Sequence, residues 1–249
     1  MNLIMKKYFV IVFLFISHFG FACCIQGNYA SNYFFSDFVA VIKIKGLHRN
    51  MPNDNYYKVD IDIIENLKGI STKSLYVFGN IFDGENMSTE IYYSVGDTVL
   101  IFGNKNKDRI EIGPCTRSMK TTDNSQEYFN SILTLMQKFK LSSNVKYPSA
   151  RVDYDFDYLD RISRMTLNKT DAIGEYGVYQ VNLNFNLDIE SIDIICGFGA
   201  KVDETILGLI QRIKFKHSEH TPIIRNTCVY IEYKKNNSDI PNQWTYSLQ

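Results

Sequence analysis

What this sequence lacks narrows its function before any residue is read for what it does. It has no excess of one charge: 27 Lys and Arg stand against 27 Asp and Glu. The basic face that nucleic-acid binding needs is therefore not expected. It contains no Gly-x-Ser-x-Gly, no His-Glu-x-x-His and no Walker loop, so the compact motifs of a serine hydrolase, a zinc protease and a P-loop enzyme are missing. It has no internal repeat. Past Ala22 there is no apolar run long enough to cross a bilayer, which takes about 20 residues, so no integral membrane domain is expected. Together these absences predict a protein that is not an enzyme, needs no cofactor and takes another protein or peptide, rather than nucleic acid, as its partner.

The one long apolar run comes first. Lys6 and Lys7 precede "YFVIVFLFIS", and Gly20-Phe21-Ala22 places small residues before Cys23. A positive start, an apolar middle and a small-residue end are the layout of a secretory signal, here residues 1–22. Its removal would take away Lys6 and Lys7 and no acid, leaving a formal charge of −2. All five cysteines, Cys23, Cys24, Cys115, Cys196 and Cys228, lie beyond it. An exported chain meets oxidising conditions, so bridges are expected. Cys23 and Cys24 are adjacent and need different partners or fates, because a ring between neighbours strains the intervening peptide. The expected location is periplasmic, cell-surface or secreted.

The next segment reads as β-structure. "FVAVIKIKG" sets Phe38, Ala40, Ile42 and Ile44 on one face, and "YKVDIDII" alternates Tyr57, Val59, Ile61 and Ile63 with Lys58, Asp60 and Asp62. "SLYVFGN", "GDTVLIFGNK" and "DRIEIG" follow, each bounded by turn residues. Many short strands between turns predict a small barrel or sandwich. A helix should follow, with Asp123 and Gln126 as a capping box and Tyr128, Ile132, Leu135, Met136 and Phe139 on its apolar face.

"LSSNVKYPSA" has no period and reads as a linker, placed at residues 141–151. Residues 153–167 look weakly helical. Then "GVYQVNLNFNLD" alternates strictly, with Tyr179, Val181, Leu183, Phe185 and Leu187 opposite Gln180, Asn182, Asn184, Asn186 and Asp188. That predicts a sheet buried on one face and wet on the other. "SIDIICG" should be its hairpin partner. "KVDETILGLIQRI" supplies a helical stripe of Val202, Ile206, Leu209, Ile210 and Ile213, and "TCVYIEYK" a last strand. The order β-β-α-β with one helical layer is an α+β arrangement.

Two resemblances extend this reading. The cysteines at the expected mature start, "SDFVAVIKIKG", "YKVDIDIIENLKG" and "GDTVLIFGNK…GPCTR" resemble the netrin-like module of the tissue inhibitors of metalloproteinases, over residues 23–140. That family's fold is a five-stranded OB-type barrel. It begins Cys-x-Cys where this chain begins Cys-Cys, and its cysteine before the "GD" strand is missing between Thr89 and Tyr93. The resemblance implies one bridge, from Cys24 or Cys23 to Cys115, with Cys24 placed first. A loop so long stabilises by about 4–5 kcal/mol in the chain-entropy model. It also implies that a free Cys23 could chelate a target protease's zinc through its α-amino group and carbonyl. The other fates of Cys23 are a lipid anchor, for which "FGFAC" loosely fits the processing signal, and a plain N-terminus. The segment from "GEYGVYQVNLNFNLDIESIDIICGFGAKVDETILGLIQRIKF" to "TPIIRNTCVYIEYKK" is similar to the C-terminal domain of TonB-type energy transducers, over residues 152–236. In that family the last strand can offer its edge to an extended peptide. The expected docking edge here is therefore Cys228, Val229, Tyr230, Ile231, Glu232, Tyr233 and Lys234.

The remaining candidates are weaker. Cys196 and Cys228 could bridge if their Cα atoms come within about 7 Å. "HSEH" offers His217 and His220, but in a polar loop, and no metal site is assigned. "DYDFDYLD" reads as a solvated face. The expectation is thus an exported two-domain recognition protein: an OB-type barrel with a C-terminal helix, then the α+β domain, then a tail at residues 237–249. The alternative is a metalloprotease inhibitor acting through Cys23. A membrane is expected to be met only through a lipid on that residue.

Overall fold

The computed structural model describes residues 28–51, 54–80, 91–121, 126–142, 152–154, 176–217, 227–234 and 245–248. The expected leader, Cys23, Cys24, Asp123 and His220 lie outside the described residues, as does most of the expected linker.

Five strands close into a barrel. They are β1 (Phe38–His48), β2 (Tyr56–Lys68), β3 (Ser74–Phe78), β4 (Thr98–Asn106) and β5 (Arg109–Ile112). The order is β1-β2-β3-β5-β4, and β4 returns to β1. β3 and β5 run parallel and the other barrel pairs antiparallel, an order consistent with an OB-type barrel. β6 (Met119–Lys120) adds a short edge to β4. The alternation of the sequence is the reason for closure. Phe38, Ala40, Ile42 and Ile44 point inward and meet Tyr57, Val59 and Ile61, with Leu75, Val77, Val99, Ile101 and Ile112 completing the interior. Tyr57 plugs one end: its hydroxyl donates to the Ile91 carbonyl at 2.9 Å, and burial pushes its pKa up to about 12. At the far end of β2, Gly69 turns the chain with φ +85°, and a Cβ there would sit 2.1 Å from the Asp37 carbonyl oxygen. Only glycine fits that approach.

The barrel's outer face is also apolar along β1 and β4, where Val39, Val41, Leu100 and Phe102 are buried. Two helices cover it. α1 (Tyr29–Phe35) is short and aromatic, and starts at Asn28, whose side chain accepts from the Ser31 N–H at 2.7 Å. Lys68 holds its other end by donating to the Tyr33 and Phe34 carbonyls, both at 2.8 Å. α2 (Gln126–Leu141) buries Ile132, Leu135, Met136 and Phe139 as expected, with Phe129 rather than Tyr128 as the buried residue of its first turn.

The second sheet is four-stranded, in the order β12-β11-β8-β9. Its strands are β8 (Tyr176–Leu183), β9 (Ile189–Cys196), β11 (Thr227–Lys234) and β12 (Thr245–Leu248), all antiparallel. β7 (Val152–Tyr154) pairs with β10 (Phe215–His217), so the part of 153–167 that is described is extended rather than helical, and His217 stands in a strand rather than a loop. α3 (Ala200–Ile210) covers one face: Val202, Ile206, Leu209 and Ile210 pack on Tyr179, Val181, Leu183 and Ile231. Asp203 fastens its start, accepting from the Tyr179 hydroxyl at 2.5 Å and the Phe198 N–H at 2.9 Å.

The opposite face departs from expectation. Gln180 and Asn182 are 0% and 5% exposed, not wet. That side belongs to a core shared by both halves of the chain, in which Tyr176, Val178, Cys228 and Tyr230 pack with Tyr29, Tyr33, Phe102 and Phe139. The polar side chains are accommodated by bonding among themselves. Tyr230 donates to Gln180 Oε1 at 2.9 Å, and Asn182 donates to Asp193 and Ser191, both at 2.8 Å. The alternation marks a strand only as far as Leu183: residues 185–187 form a turn that leaves Phe185 55% exposed, and the strand's polar side is covered.

Candidate functional site

The strand expected to dock a partner is built into this shared core. Cys228, Tyr230, Ile231 and Glu232 are at most 2% exposed. One edge of β11 pairs with β8 along its whole length. On the other edge, Ile231, Glu232, Tyr233 and Lys234 pair with Leu248, Ser247, Tyr246 and Thr245 of β12. The Tyr230 carbonyl accepts from Asn28 Nδ2 at 3.2 Å. Pairing along Ile231–Lys234 and the Asn28 bond occupy the edge that strand addition would need, so the expectation of an open last strand is corrected. Val229 and Thr227 take part through the β8 ladder alone among the described pairings.

Glu232 makes the junction chemical as well as apolar. It is fully buried between halves, accepting from the Tyr176 hydroxyl and, at 2.9 Å, from the Ala30 N–H. The Arg117 guanidinium stands 3.7 Å away. Desolvation raises the Glu232 carboxyl above its ordinary value, against the lowering effect of these donors. Burial and the same carboxylate drive the Tyr176 hydroxyl far upward. Tyr29 and Tyr128 stack edgewise against Tyr176, with ring centres 5.6 and 5.9 Å away. The cluster ties α1, β8 and β11 together through buried hydrogen bonds and ring contacts.

The cysteines fall into two groups. Cys196 and Cys228 both keep thiols, so the expected bridge between them is corrected. The reason is topology: their strands lie on opposite sides of β8, at Val178 and Asn182. Two strand spacings and four residues of rise put them on the order of 15 Å apart, beyond the reach of a disulfide. Burial raises the Cys196 thiol's pKa, making it a poor nucleophile. Cys115 is disulfide-bonded, to a partner outside the described residues. Among the described residues no group of three or more His, Cys, Asp or Glu could hold a metal. His48 is engaged by Asp60 at 2.6 Å.

The sheet ends in two edge strands, β12 on one side and β9 on the other, and β9 is the longer. Its inner edge pairs with β8 and its outer edge pairs with no described strand. Glu190, Ser191, Asp193 and Ile194 are exposed, Ile194 to 45%. Beside this edge runs a groove of about 570 Å³ between β9 and the end of α3, lined by Ile189, Ile192, Leu207, Gln211, Lys214 and Phe215 among others. Ile189, Ile192 and Leu207 are partly buried on the core below and give it an apolar floor. Asp188, Glu190 and Lys214 stand at its rim. Unpaired main-chain groups beside an apolar floor are the elements used by strand-addition sites.

A second groove of about 570 Å³ lies on the barrel around Tyr76 and Arg109. Arg109 is consumed there by Asp54 and Glu111, each at 2.6 Å, and stacks on Tyr56 and Tyr76. It ties strands together rather than offering a charge.

Fold and site together define a mostly β protein with a closed five-stranded barrel, three described helices and a second sheet whose longer edge strand, β9, pairs on one side alone among the described strands. No family model matches the chain, and no curated protein matches it. Sequence reasoning missed β9 as the edge because "SIDIICG" carries the same alternation as any hairpin strand. The only available signal was its run of exposed Glu190, Ser191 and Asp193, polar residues typical of a strand that meets solvent.

Proposed function

We propose that this chain is a non-enzymatic, exported recognition protein that binds an extended segment of a partner protein by strand addition on β9. The observation that carries the reading is the unpaired outer edge of β9 running beside an apolar-floored groove. An incoming strand would gain main-chain hydrogen bonds from the edge and side-chain contact from Ile189, Ile192 and Leu207. The rim has two acids, Asp188 and Glu190, to one base, Lys214, which favours a segment carrying a Lys or Arg among apolar residues. The barrel and the sheet are read as the netrin-like and TonB-C-terminal-like modules. In this reading the sheet keeps the transducer module's mode of recognition and moves it to the opposite edge. Export rests on the leader-like first 22 residues and on the disulfide at Cys115, which suits an oxidising compartment.

The test is selection of peptides from a random library on the full mature chain, followed by amide chemical-shift mapping. The reading expects selected peptides to shift Ile189–Cys196 and to lose at least tenfold in affinity against Glu190→Lys. Peptides that map to the barrel, or bind this variant as well as wild type, would sink it.

The disulfide at Cys115 and the barrel's closure also favour a second reading, inhibition of a metalloprotease by a free Cys23 after a Cys24–Cys115 bridge forms. Intact mass under non-reducing conditions tests it: one bridge and an unmodified N-terminal amine are required, and a lipid adduct at Cys23 removes it.

A further inference from the structure

Between α1, α2 and the segment leading into β6 lies a small pocket of about 240 Å³ that opens to the surface. Its lining is Tyr29, Arg117, Ser118, Met119 and Tyr128. We propose that this pocket is a socket for a single carboxylate group, gripped by the Arg117 guanidinium and the Tyr29 and Tyr128 hydroxyls.

Arg117 is fixed in place with one donor, its Nε, unused among the described residues. Its guanidinium stacks on the Tyr29 ring, 4.9 Å from the ring centre, which sets its plane. Its side chain is 22% exposed, so most of the group has left water. Its Nε is buried with no acceptor among the described residues. The nearest carboxylate, Glu232, is 3.7 Å away, beyond hydrogen-bond length, and both its oxygens already accept elsewhere. A desolvated guanidinium with an unused donor gains from a planar acceptor, and carboxylate matches its fork.

The two hydroxyls line the same pocket. Tyr128 donates to Tyr29 at 3.4 Å, and Tyr29 donates to the Met119 sulfur at 3.8 Å, both long contacts that an anionic oxygen would replace with shorter ones. The volume falls below the range of about 300–1,000 Å³ typical of drug-sized ligands, so a carboxylate on a short stem fits and a saccharide or nucleotide does not. A pocket this small admits a planar carboxylate more readily than a tetrahedral, strongly hydrated phosphate.

Such a group has two sources, a free organic acid or an acidic side chain of a polypeptide. The experiment uses sodium propionate and a hexapeptide, blocked at both ends, with one Glu among Gly and Ser. Each is titrated into the ¹⁵N-labelled mature chain while the Arg117 Nε–H signal is followed. Saturable shifts of that signal are expected with both probes, with inorganic phosphate at least tenfold weaker. A peptide at least tenfold tighter than propionate identifies a polypeptide source, and equal affinities identify a free acid. Arg117→Gln should abolish saturation. Tyr128→Phe, which removes one hydroxyl and keeps the ring, should weaken propionate three- to tenfold with an unchanged circular dichroism spectrum. Linear, non-saturating shifts in wild type, or propionate affinity unchanged in folded Tyr128→Phe, would overturn the assignment.

Discussion

β9 and β11 flank the same central strand and carry similar alternating sequences, yet they do opposite things. β11 is sealed. Cys228 and Tyr230 enter the core between the two halves, Ile231 packs under α3, β12 pairs with the strand's lower half, and Asn28 takes the Tyr230 carbonyl. β9 is open on its outer edge and keeps four exposed residues. The difference shows that position in the chain does not decide which edge is available. What covers each edge comes from elsewhere: β12 and α1 reach β11, and no described strand reaches β9. Substitutions in β11 should therefore cost stability, and substitutions in β9 should cost binding alone.

The largest effect should come from Tyr230→Ala. Tyr230 is fully buried and packs against Phe34 and Phe139 at ring distances of 5.7 and 5.9 Å. Losing a buried aromatic costs about 3–5 kcal/mol, read as a lower denaturation midpoint. A loss under about 1 kcal/mol would mean that β11 is not part of a shared core.

Gly69→Ala tests the barrel side of the same comparison. Its positive φ and the 2.1 Å approach to Asp37 predict a loss of about 1–3 kcal/mol by the same measurement.

Glu232→Gln should change how stability depends on pH. Burial raises this carboxyl above its ordinary 4.5, so the fold favours the neutral acid. That contribution is fully present below the unfolded value and is lost as pH rises through the raised pKa. Unfolding free energies from pH 4.5 upward should therefore move in favour of the variant relative to wild type. Parallel curves would show that Arg117 and the two donors hold the carboxylate ionised.

The smallest effect on stability should come from Glu190→Lys on β9, within about 0.5 kcal/mol of wild type, since the residue is exposed. The same substitution should still weaken peptide binding.

The sequence made the barrel interior legible residue by residue. Tyr57, Val59 and Ile61 alternate with charged partners, and a single solvent-facing side leaves only one way to bury them. The stripe from Val202 to Ile210 was legible for the same reason. The buried polar face of β8 was not. Gln180 and Asn182 look solvated until Tyr230, Ser191 and Asp193 are brought beside them, and those contacts are set by tertiary pairing. α1 was missed because "YASNYFF" is short and rich in aromatics, which are poor helix formers. It holds through the Asn28 cap and Lys68. The candidate site was less legible: which edge of β11 is covered depended on Thr245–Leu248, four residues whose alternation is too short to announce a strand.

Amide hydrogen exchange on the free protein tests the central claim most directly. The account predicts slow exchange along Ile231–Lys234, and fast exchange at alternate amides of Ile189–Cys196 that becomes slow when a selected peptide binds. Fast exchange along Ile231–Lys234, with β9 fully protected in the free protein, would contradict it.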